Sequence, residues 1–162
     1  MKRLLAVIYI AICCLNGPIT ASASEHEYFI ICQPDSFVNV RERPRMHSRE
    51  TGYLFLGDKV LSSGEKRNGF IRCYGLSTEA GEGWVYAGFL VEEAPEIGEW
   101  SAMVVSNGRV ACRYSVGGDR RKWLKSGSEV TVYAWGEWCA TSEGFIKGEY
   151  LEIVASTETE KP

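Results

Sequence analysis

The sequence predicts an all-β fold of two tandem small barrels behind a signal peptide, and three observations lead to this prediction. Short segments alternate apolar and polar side chains with the period of two that is typical of strands. No segment after the leader shows the period of an amphipathic helix. The series of strand-like segments occurs twice, more weakly the second time. A single flat sheet of this size cannot bury both faces, and closure into a barrel also removes exposed edges.

The N-terminus has the layout of a secretory signal peptide. Lys2 and Arg3 precede an apolar run over residues 4–15, and the small residues 21–23 follow. The run is shorter than the roughly 20 residues of a membrane-spanning helix, although an uncleaved anchor is the alternative. We expect cleavage after residue 23, or alternatively after residue 21, and a mature chain that is periplasmic, secreted or associated with the cell wall.

The charge of the mature chain argues against nucleic acid as a partner. Without the two basic residues of the leader, 16 Lys and Arg face 21 Asp and Glu, a net charge of −5. Binding to a phosphate backbone needs clustered cations. No second apolar run is long enough to span a membrane. The composition therefore favours a protein, a peptide or a glycan as partner.

The first predicted domain occupies residues 28–93. Turn signals such as Gly57-Asp58 separate its strands, and the polar residues 43–52 are expected to form a long loop. The predicted strands are short and mostly alternating, and they cover residues 28–32, 37–41, 53–56, 59–61, 69–74, 84–86 and 89–91.

The order of motifs in this domain resembles that of bacterial SH3-type domains. The motifs are Val38-Asn39-Val40-Arg41 with Pro44, Leu56-Gly57-Asp58-Lys59-Val60, Gly69-Phe70, and Gly83-Trp84-Val85 with Leu90. Each motif alone is weak, and their common order makes the resemblance specific. The resemblance implies a small barrel and a non-catalytic module that binds cell-wall peptide or glycan, usually to target an attached hydrolase.

A divergent SH3-like copy is predicted at residues 100–154, after an acidic linker at 94–99. Ala111 replaces an asparagine of the first copy, Phe145 replaces a tryptophan, and no proline stands opposite Pro44. The matched segments are 110–113 with 38–41, 136–139 with 68–71, and 143–151 with 82–90. Residues 155–162 are expected to be a disordered polar tail.

Four cysteines remain after the leader, and in an exported chain they suggest two disulfides among three connectivities. Alternation places Cys73 inward, and Cys112 and Cys139 take the positions of inward residues in the second copy. We favour the pairs Cys32–Cys73 and Cys112–Cys139, each stabilising its domain by about 2–4 kcal/mol. Buried free thiols are the alternative.

The sequence offers little for catalysis or for metal binding. His47 is the only histidine outside the leader and the polar start, and nucleophilic triads of the Cys-His or Ser-His type need one. There is no C-x-x-C spacing, and no glycine-rich loop has the strand-then-helix context of a phosphate site. We expect no enzyme activity, no cofactor and no metal.

A ligand-binding groove is better supported, because all five tryptophans lie in the predicted mature chain. Aromatic side chains give large contact area at low entropic cost, and arginine forks match carboxylates. The alternative is that the aromatics fill the two cores and that the arginines are solvated. The candidate ligand-binding residues are Arg41, Arg43, Trp84, Tyr86, Tyr114, Trp123, Trp135 and Trp138.

Together these observations predict an exported, non-catalytic binding protein that recognises cell-wall peptide or glycan. The motifs of a hydrolase are not among the 162 residues, so we expect a free-standing binding protein. The first alternative is an exported adaptor or inhibitor that takes a protein segment by strand addition or in an aromatic pocket. The second alternative, an exported enzyme, is disfavoured by the shortage of histidine.

Overall fold

The structure is a computed structural model that describes residues 25–154. The predicted signal peptide at 1–23 and the predicted tail at 155–162 lie outside the described residues. Across residues 25–154 the secondary structure consists of fifteen strands and two short 3₁₀ turns, with no α-helix. The all-β prediction is confirmed. Within residues 25–154, no helix has the length and apolar character needed to cross a membrane.

The first sheet is entirely antiparallel and has the strand order β3-β2-β7-β6-β4-β1-β8, with the short β5 paired to β6. A 3₁₀ turn at Ala87–Phe89 precedes its last strand. Its strands are β1 His26–Ile30, β2 Val38–Arg41, β3 Glu50–Leu54, β4 Lys59–Ser62, β5 Lys66–Arg67, β6 Phe70–Tyr74, β7 Glu82–Tyr86 and β8 Leu90–Val91.

The second sheet is antiparallel too, with the order β11-β10-β14-β13-β12-β9-β15. A 3₁₀ turn at Gly148–Tyr150 again precedes the last strand. Its strands are β9 Glu96–Val104, β10 Arg109–Arg113, β11 Arg120–Lys125, β12 Glu129–Trp135, β13 Trp138–Thr141, β14 Gly144–Lys147 and β15 Leu151–Ile153. Without β5, the first sheet has this order strand for strand, so the repeat extends to topology. Closure of either sheet into a barrel stays a prediction.

Two polar segments form strands that the sequence pattern does not indicate. The predicted linker 94–99 is outside strands only as far as residue 95, because β9 begins at Glu96 and pairs with β12 through Ile97 and Ala134. Likewise, β3 begins at Glu50, inside the predicted loop, opposite Arg41. Neither of these parts contains a buried residue, so neither shows apolar alternation.

Each sheet has a core of its own, built from the inward positions of neighbouring strands. Val40 on β2 lies opposite Val85 on β7, which lies opposite Ile71 on β6, and all three are buried. In the second sheet Cys112, Ile146 and Cys139 form the corresponding buried row on β10, β14 and β13. Full burial of one such aliphatic side chain contributes about 1.5–3 kcal/mol.

A third apolar cluster joins the two sheets. Ile31 and Phe89 come from the first half of the chain, and Phe145 comes from the second. The rings of Phe89 and Phe145 meet edge to face with centroids 5.9 Å apart. The N–H of Val116 donates to the carbonyl of Gly88 at 2.8 Å, and the Gln33 amide donates to Thr141 O at 3.0 Å. The two halves therefore pack as one body, rather than as modules on a flexible tether.

The predicted disulfides are absent, because all four thiols of the described chain are free and buried. Cys112 and Cys139 lie on β10 and β13, which flank β14. Two inter-strand spacings separate them by about 10 Å, beyond the roughly 7 Å limit for a bridge. The strand register places Cys73 beside the His26 end of β1. Cys32 lies beyond the Ile30 end of that strand. The cysteines of each pair share one core, as expected, but the strand order keeps them apart.

Candidate functional site

An open groove of about 420 Å³ lies on the outer face of the second sheet. Trp123 on β11 lies opposite Ala111 on β10, and Trp138 on β13 lies opposite Lys147 on β14. The register of β10 with β14 then places Ala111 beside Lys147. One row across four strands thus has an indole at each end and short or flexible side chains between. The lining residues are Ser106, Arg109, Val110, Ala111, Arg113, Gly117, Trp123, Trp138, Lys147 and Tyr150.

Trp123 is the exposed end of this row. Its side chain is 48% exposed because β11 is an edge strand that pairs only with β10. The Arg120 guanidinium lies 4.7 Å from the centroid of its ring, a cation–π contact that holds the indole in place. Trp123 is therefore not a core residue. It presents a large apolar surface to solvent, and the contact with Arg120 supports its ring.

Trp138 is the anchored end of the row. It is half-buried and packs against the cluster that joins the two sheets. The Lys147 ammonium group lies 5.9 Å from the centroid of its ring. Cys139, the next residue, points into the core and fixes the opposite direction for the indole. Trp138 therefore has little freedom to lose when a ligand contacts it.

The groove is basic. Arg113 donates from Nη1 to the carbonyl of Gly118 at 2.6 Å, which orders the loop after β10. Lys147 Nζ lies 3.9 Å from Glu149 Oε1, a long and exposed pair. Arg109 has no side-chain hydrogen bond or ion pair with any of residues 25–154. Three cations beside two indoles suit a ligand that carries a carboxylate next to an apolar or ring-shaped group.

The predicted arginines of the first sheet order their own loop. Arg41 donates from Nη1 to Ser48 O at 2.9 Å, and its Nη2 lies 3.3 Å from Glu50 Oε1. The backbone N–H of Arg43 donates to the buried Ser48 hydroxyl, while its side chain is exposed. Trp84 lies in register between Arg41 and Arg72 and is only 9% exposed. Its ring is packed rather than presented.

Three further predicted residues also lie outside the groove. Tyr86 packs edge to face on Phe70, with centroids 5.5 Å apart. Trp135 packs on Trp100 at 6.2 Å, against the second core. Tyr114 is 63% exposed and borders a smaller cavity of about 170 Å³. Of the eight candidates, Arg41 and Trp84 are neighbours on the first sheet, and only Trp123 and Trp138 line the groove.

Sequence reasoning missed the groove residues Arg109, Arg113, Lys147 and Tyr150. The internal repeat held a signal for one of them. Lys147 occupies the position of Tyr86, an aromatic residue that the first copy packs on its sheet. A lysine in that place puts a flexible cation, instead of a packed ring, beside the neighbouring indole. The other residues come together only through the strand order, which no local pattern reveals.

Burial keeps the cysteines protonated. Desolvation raises the pKa of Cys73 to about 12, and desolvation with the nearby Asp58 carboxylate raises the pKa of Cys32 to about 11. Desolvation also raises the pKa of Cys112 and of Cys139. Since the thiolate is the nucleophile, these side chains are unreactive near neutral pH. Over residues 25–154, no group of three or more His, Cys, Asp or Glu side chains could hold a metal ion.

No protein-family model matches the chain, and no curated protein matches it. Among solved structures, it is similar to NlpC1 from Trichomonas vaginalis, at 14% identity and a TM-score of 0.37 over 82% of this chain. It is also similar to NlpC2 from the same organism, at 14% identity and a TM-score of 0.36 over 80% of this chain. The chain spans about half the length of these structures, 47% and 48%. Likeness of this extent identifies no family.

Proposed function

We propose that the protein is an exported, non-catalytic binding protein that recognises cell-wall peptide or glycan through the groove of its second sheet. The observation that carries the proposal is the row from Trp123 to Trp138, with the cations Arg109, Arg113 and Lys147 along it. The apolar N-terminal run and the resemblance of residues 28–93 to bacterial SH3-type domains support export and binding.

The chemistry of the groove suits such a ligand. Indole faces give contact area to sugar rings and to the apolar parts of peptides at little entropic cost. Arginine and lysine pair with carboxylates, which wall peptides and some wall sugars carry. The predicted mature chain has a net charge of −5, so the basic groove is a local exception that attracts a carboxylate-bearing polymer.

A direct test is sedimentation with purified insoluble peptidoglycan. The mature chain, residues 24–162, is mixed with the polymer and pelleted, with cellulose and chitin as controls for non-specific adsorption. We expect a saturable bound fraction with peptidoglycan and little with the control polymers. A chain that stays in the supernatant at every polymer concentration would contradict the proposal.

An exported adaptor or inhibitor is the second candidate, and an observation on the first sheet favours it. β3 is an edge strand that pairs only with β2. The aromatic residues Phe37, Tyr53 and Phe55 beside this edge are each more than half exposed, and Phe37 meets Tyr53 at 4.7 Å. An unpaired strand edge flanked by apolar side chains can accept an extended segment of another protein. Tyr53→Lys would abolish such binding and leave peptidoglycan sedimentation unchanged.

A further inference from the structure

The hairpin formed by β10 and β11 carries two pairs of basic residues that lie directly opposite each other. Arg109 is opposite Lys125, and Arg113 is opposite Arg120. Burial alternates along β10, so its first, third and fifth residues point to the outer face of the sheet. Arg109 and Arg113, the first and the fifth, both line the groove. The hairpin therefore has a like-charge pair at each end of the wall that it contributes to the groove.

Trp123 lies between the two like-charge pairs. It is opposite Ala111, which is two residues from Arg109 and two from Arg113 along β10. The four residue steps from Arg109 to Arg113 span roughly 13 Å. The Arg120 guanidinium lies over the Trp123 ring and keeps it in place. This side of the groove therefore presents a positive pair, an indole and a second positive pair, in that order.

The two like-charge pairs carry a cost, because like charges directly opposite each other destabilise a sheet. Within residues 25–154, none of the four side chains forms an ion pair with a carboxylate. Arg113 and Arg120 have neutral partners, a backbone carbonyl and an indole, which leave their charges uncompensated. Lys122 of the same hairpin, by contrast, pairs with Glu143. The repulsion therefore persists on the face that lines the groove.

The first sheet has opposite charges at an equivalent pair of positions. Its hairpin of β2 and β3 has the same register and the same irregularity as the hairpin of β10 and β11. Where the second sheet has Arg113 and Arg120, the first has Arg41 and Glu50, with Nη2 and Oε1 3.3 Å apart. The fold therefore does not require like charges there, and the second sheet keeps them at a cost to its own stability.

Positive charge is also concentrated in this hairpin. Residues 109–125 contain six Lys and Arg and one Asp, whereas the predicted mature chain has a net charge of −5. Attraction between exposed charges acts over about 8–10 Å at moderate salt. An anionic ligand is therefore drawn to this hairpin in preference to the rest of the surface.

We infer that the groove recognises two carboxylates of one ligand, roughly 13 Å apart, one at each like-charge pair, with the part of the ligand between them on Trp123. A carboxylate between two cations offsets their repulsion, and arginine can bind it through two parallel N–H···O bonds. This inference rests on the proposed function and narrows it from cell-wall peptide or glycan to a segment with two carboxylates. A neutral glycan would leave both repulsions in place.

Peptidoglycan with blocked carboxyls tests the inference on the mature chain. The polymer is first treated with hydrofluoric acid, which removes phosphate-linked polymers, and half of it is then amidated with a carbodiimide and ammonia. Wild-type binding should weaken about four- to 25-fold on amidation, about two- to fivefold for each carboxylate lost. Equal binding to both samples would overturn the inference, and the proposed function would stand with a neutral glycan as ligand.

Charge reversal at each pair tests the number of carboxylates. Lys125→Glu and Arg120→Glu each create an opposite-charge pair, the second like that of Arg41 and Glu50. Each should weaken binding to the unamidated polymer at least two- to fivefold, and the double variant should lose the product of both effects and its sensitivity to amidation. Lys66→Glu, the control, alters an exposed cation on β5 and should respond to amidation as the wild type does.

Unfolding without ligand separates a ligand site from a structural role. Lys125→Glu should raise the denaturant midpoint while it weakens binding, because it removes a repulsion from the free protein. A lower midpoint would contradict the like-charge argument. If only one of the two reversals weakens binding, the ligand has a single carboxylate in the groove and the inference is wrong, although wall binding stands. If the wild type does not bind unamidated polymer, the proposed function fails and the inference fails with it.

Discussion

The two sheets have the same strand order but present different side chains at equivalent positions of their outer faces. In the first sheet the outer row is Tyr53, Asn39, Tyr86 and Phe70, on β3, β2, β7 and β6. In the second sheet the corresponding row is Trp123, Ala111, Lys147 and Trp138, on β11, β10, β14 and β13. Both rows end in aromatic residues, so the difference lies in the two positions between them.

The first sheet fills its row. Tyr86 packs on Phe70, which is only 2% exposed. Asn39 donates its amide to Glu50 Oε1 at 2.8 Å and is thereby tied to the start of the neighbouring strand β3. The second sheet has a methyl group at Ala111 and a flexible chain at Lys147, and a groove remains between the indoles. A binding surface can thus arise from a few residues on a repeated fold, without any change in strand order.

The largest expected effect is on the free energy of unfolding, at another equivalent pair of positions. These are Phe145 in the second sheet and Trp84 in the first. Phe145 is buried in the cluster that joins the halves, so Phe145→Ala should lower the free energy of unfolding by about 3–5 kcal/mol. Trp84 belongs to none of the three apolar clusters, so Trp84→Ala should cost less. Guanidinium unfolding followed by fluorescence and circular dichroism measures both values. An equal loss for the two variants would contradict the central place of the joining cluster.

The groove should close when the second sheet receives the two middle residues of the first sheet's row. The double variant Ala111→Asn, Lys147→Tyr gives the second sheet the two middle residues of the first, and the new tyrosine should pack on Trp138 as Tyr86 packs on Phe70. We expect binding to peptidoglycan to weaken tenfold or more, with folding retained, because the contact area of one indole is lost. Unchanged sedimentation of the folded variant would show that the ligand lies elsewhere.

A smaller effect is expected from one groove cation. Arg109→Gln should weaken binding about two- to fivefold, because Arg109 is exposed and its attraction to a carboxylate is screened. The loss should shrink as salt is raised. Arg67→Gln is the matched control, an exposed arginine on β5, which the second sheet lacks. Binding isotherms at two salt concentrations measure both variants. Equal losses of binding would contradict a role of the groove cations in ligand recognition.

A last comparison concerns the buried thiols, which the two sheets share. The unfolded chain loses thiol protons near the ordinary pKa of 9.0, whereas burial raises the pKa of Cys73 to about 12. The folded state therefore holds a proton that the unfolded state releases, and this stabilisation is complete below pH 9 and declines as the pH rises toward 12. Unfolding free energies at pH 8 and pH 10.5 should differ less in Cys73→Ala than in the wild type.

A thiol titration with Ellman's reagent checks the state of these cysteines at the same time. We expect no reaction of the folded mature chain at pH 8, and reaction of all four thiols once it is unfolded without reductant. Two disulfides would instead leave the unfolded chain unreactive, which would restore the pairing that the sequence predicts.

Alternation and repetition were sufficient to predict the fold class and most strands. The inward positions of Val130, Val132 and Ala134, and of Cys73 and Cys139, are buried as their phase predicts. The exposed parts of β3 and β9 were not predicted, because a solvated strand shows no apolar period. The disulfides failed for a different reason: phase tells which face a cysteine takes, but not how many strands separate it from another.

Only some of the groove residues could be predicted from the sequence. Trp123 and Trp138 could be named from composition and phase, whereas Trp84 and Trp135 have the same signals and turn out to be packed. What distinguishes the pairs is the neighbour across the sheet, which depends on the order of strands far apart in the chain. The joining cluster of Ile31, Phe89 and Phe145 has the same origin, because its residues read as parts of separate domains.

We propose the groove of the second sheet, and not the equivalent face of the first, as the surface that binds the wall. Trp123→Ala and Tyr53→Ala alter equivalent exposed positions on the two edge strands, so their sedimentation isotherms with peptidoglycan test it most directly. We expect a loss of tenfold or more for Trp123→Ala and no change for Tyr53→Ala, with both variants folded. A loss for Tyr53→Ala alone, or equal losses, would contradict it.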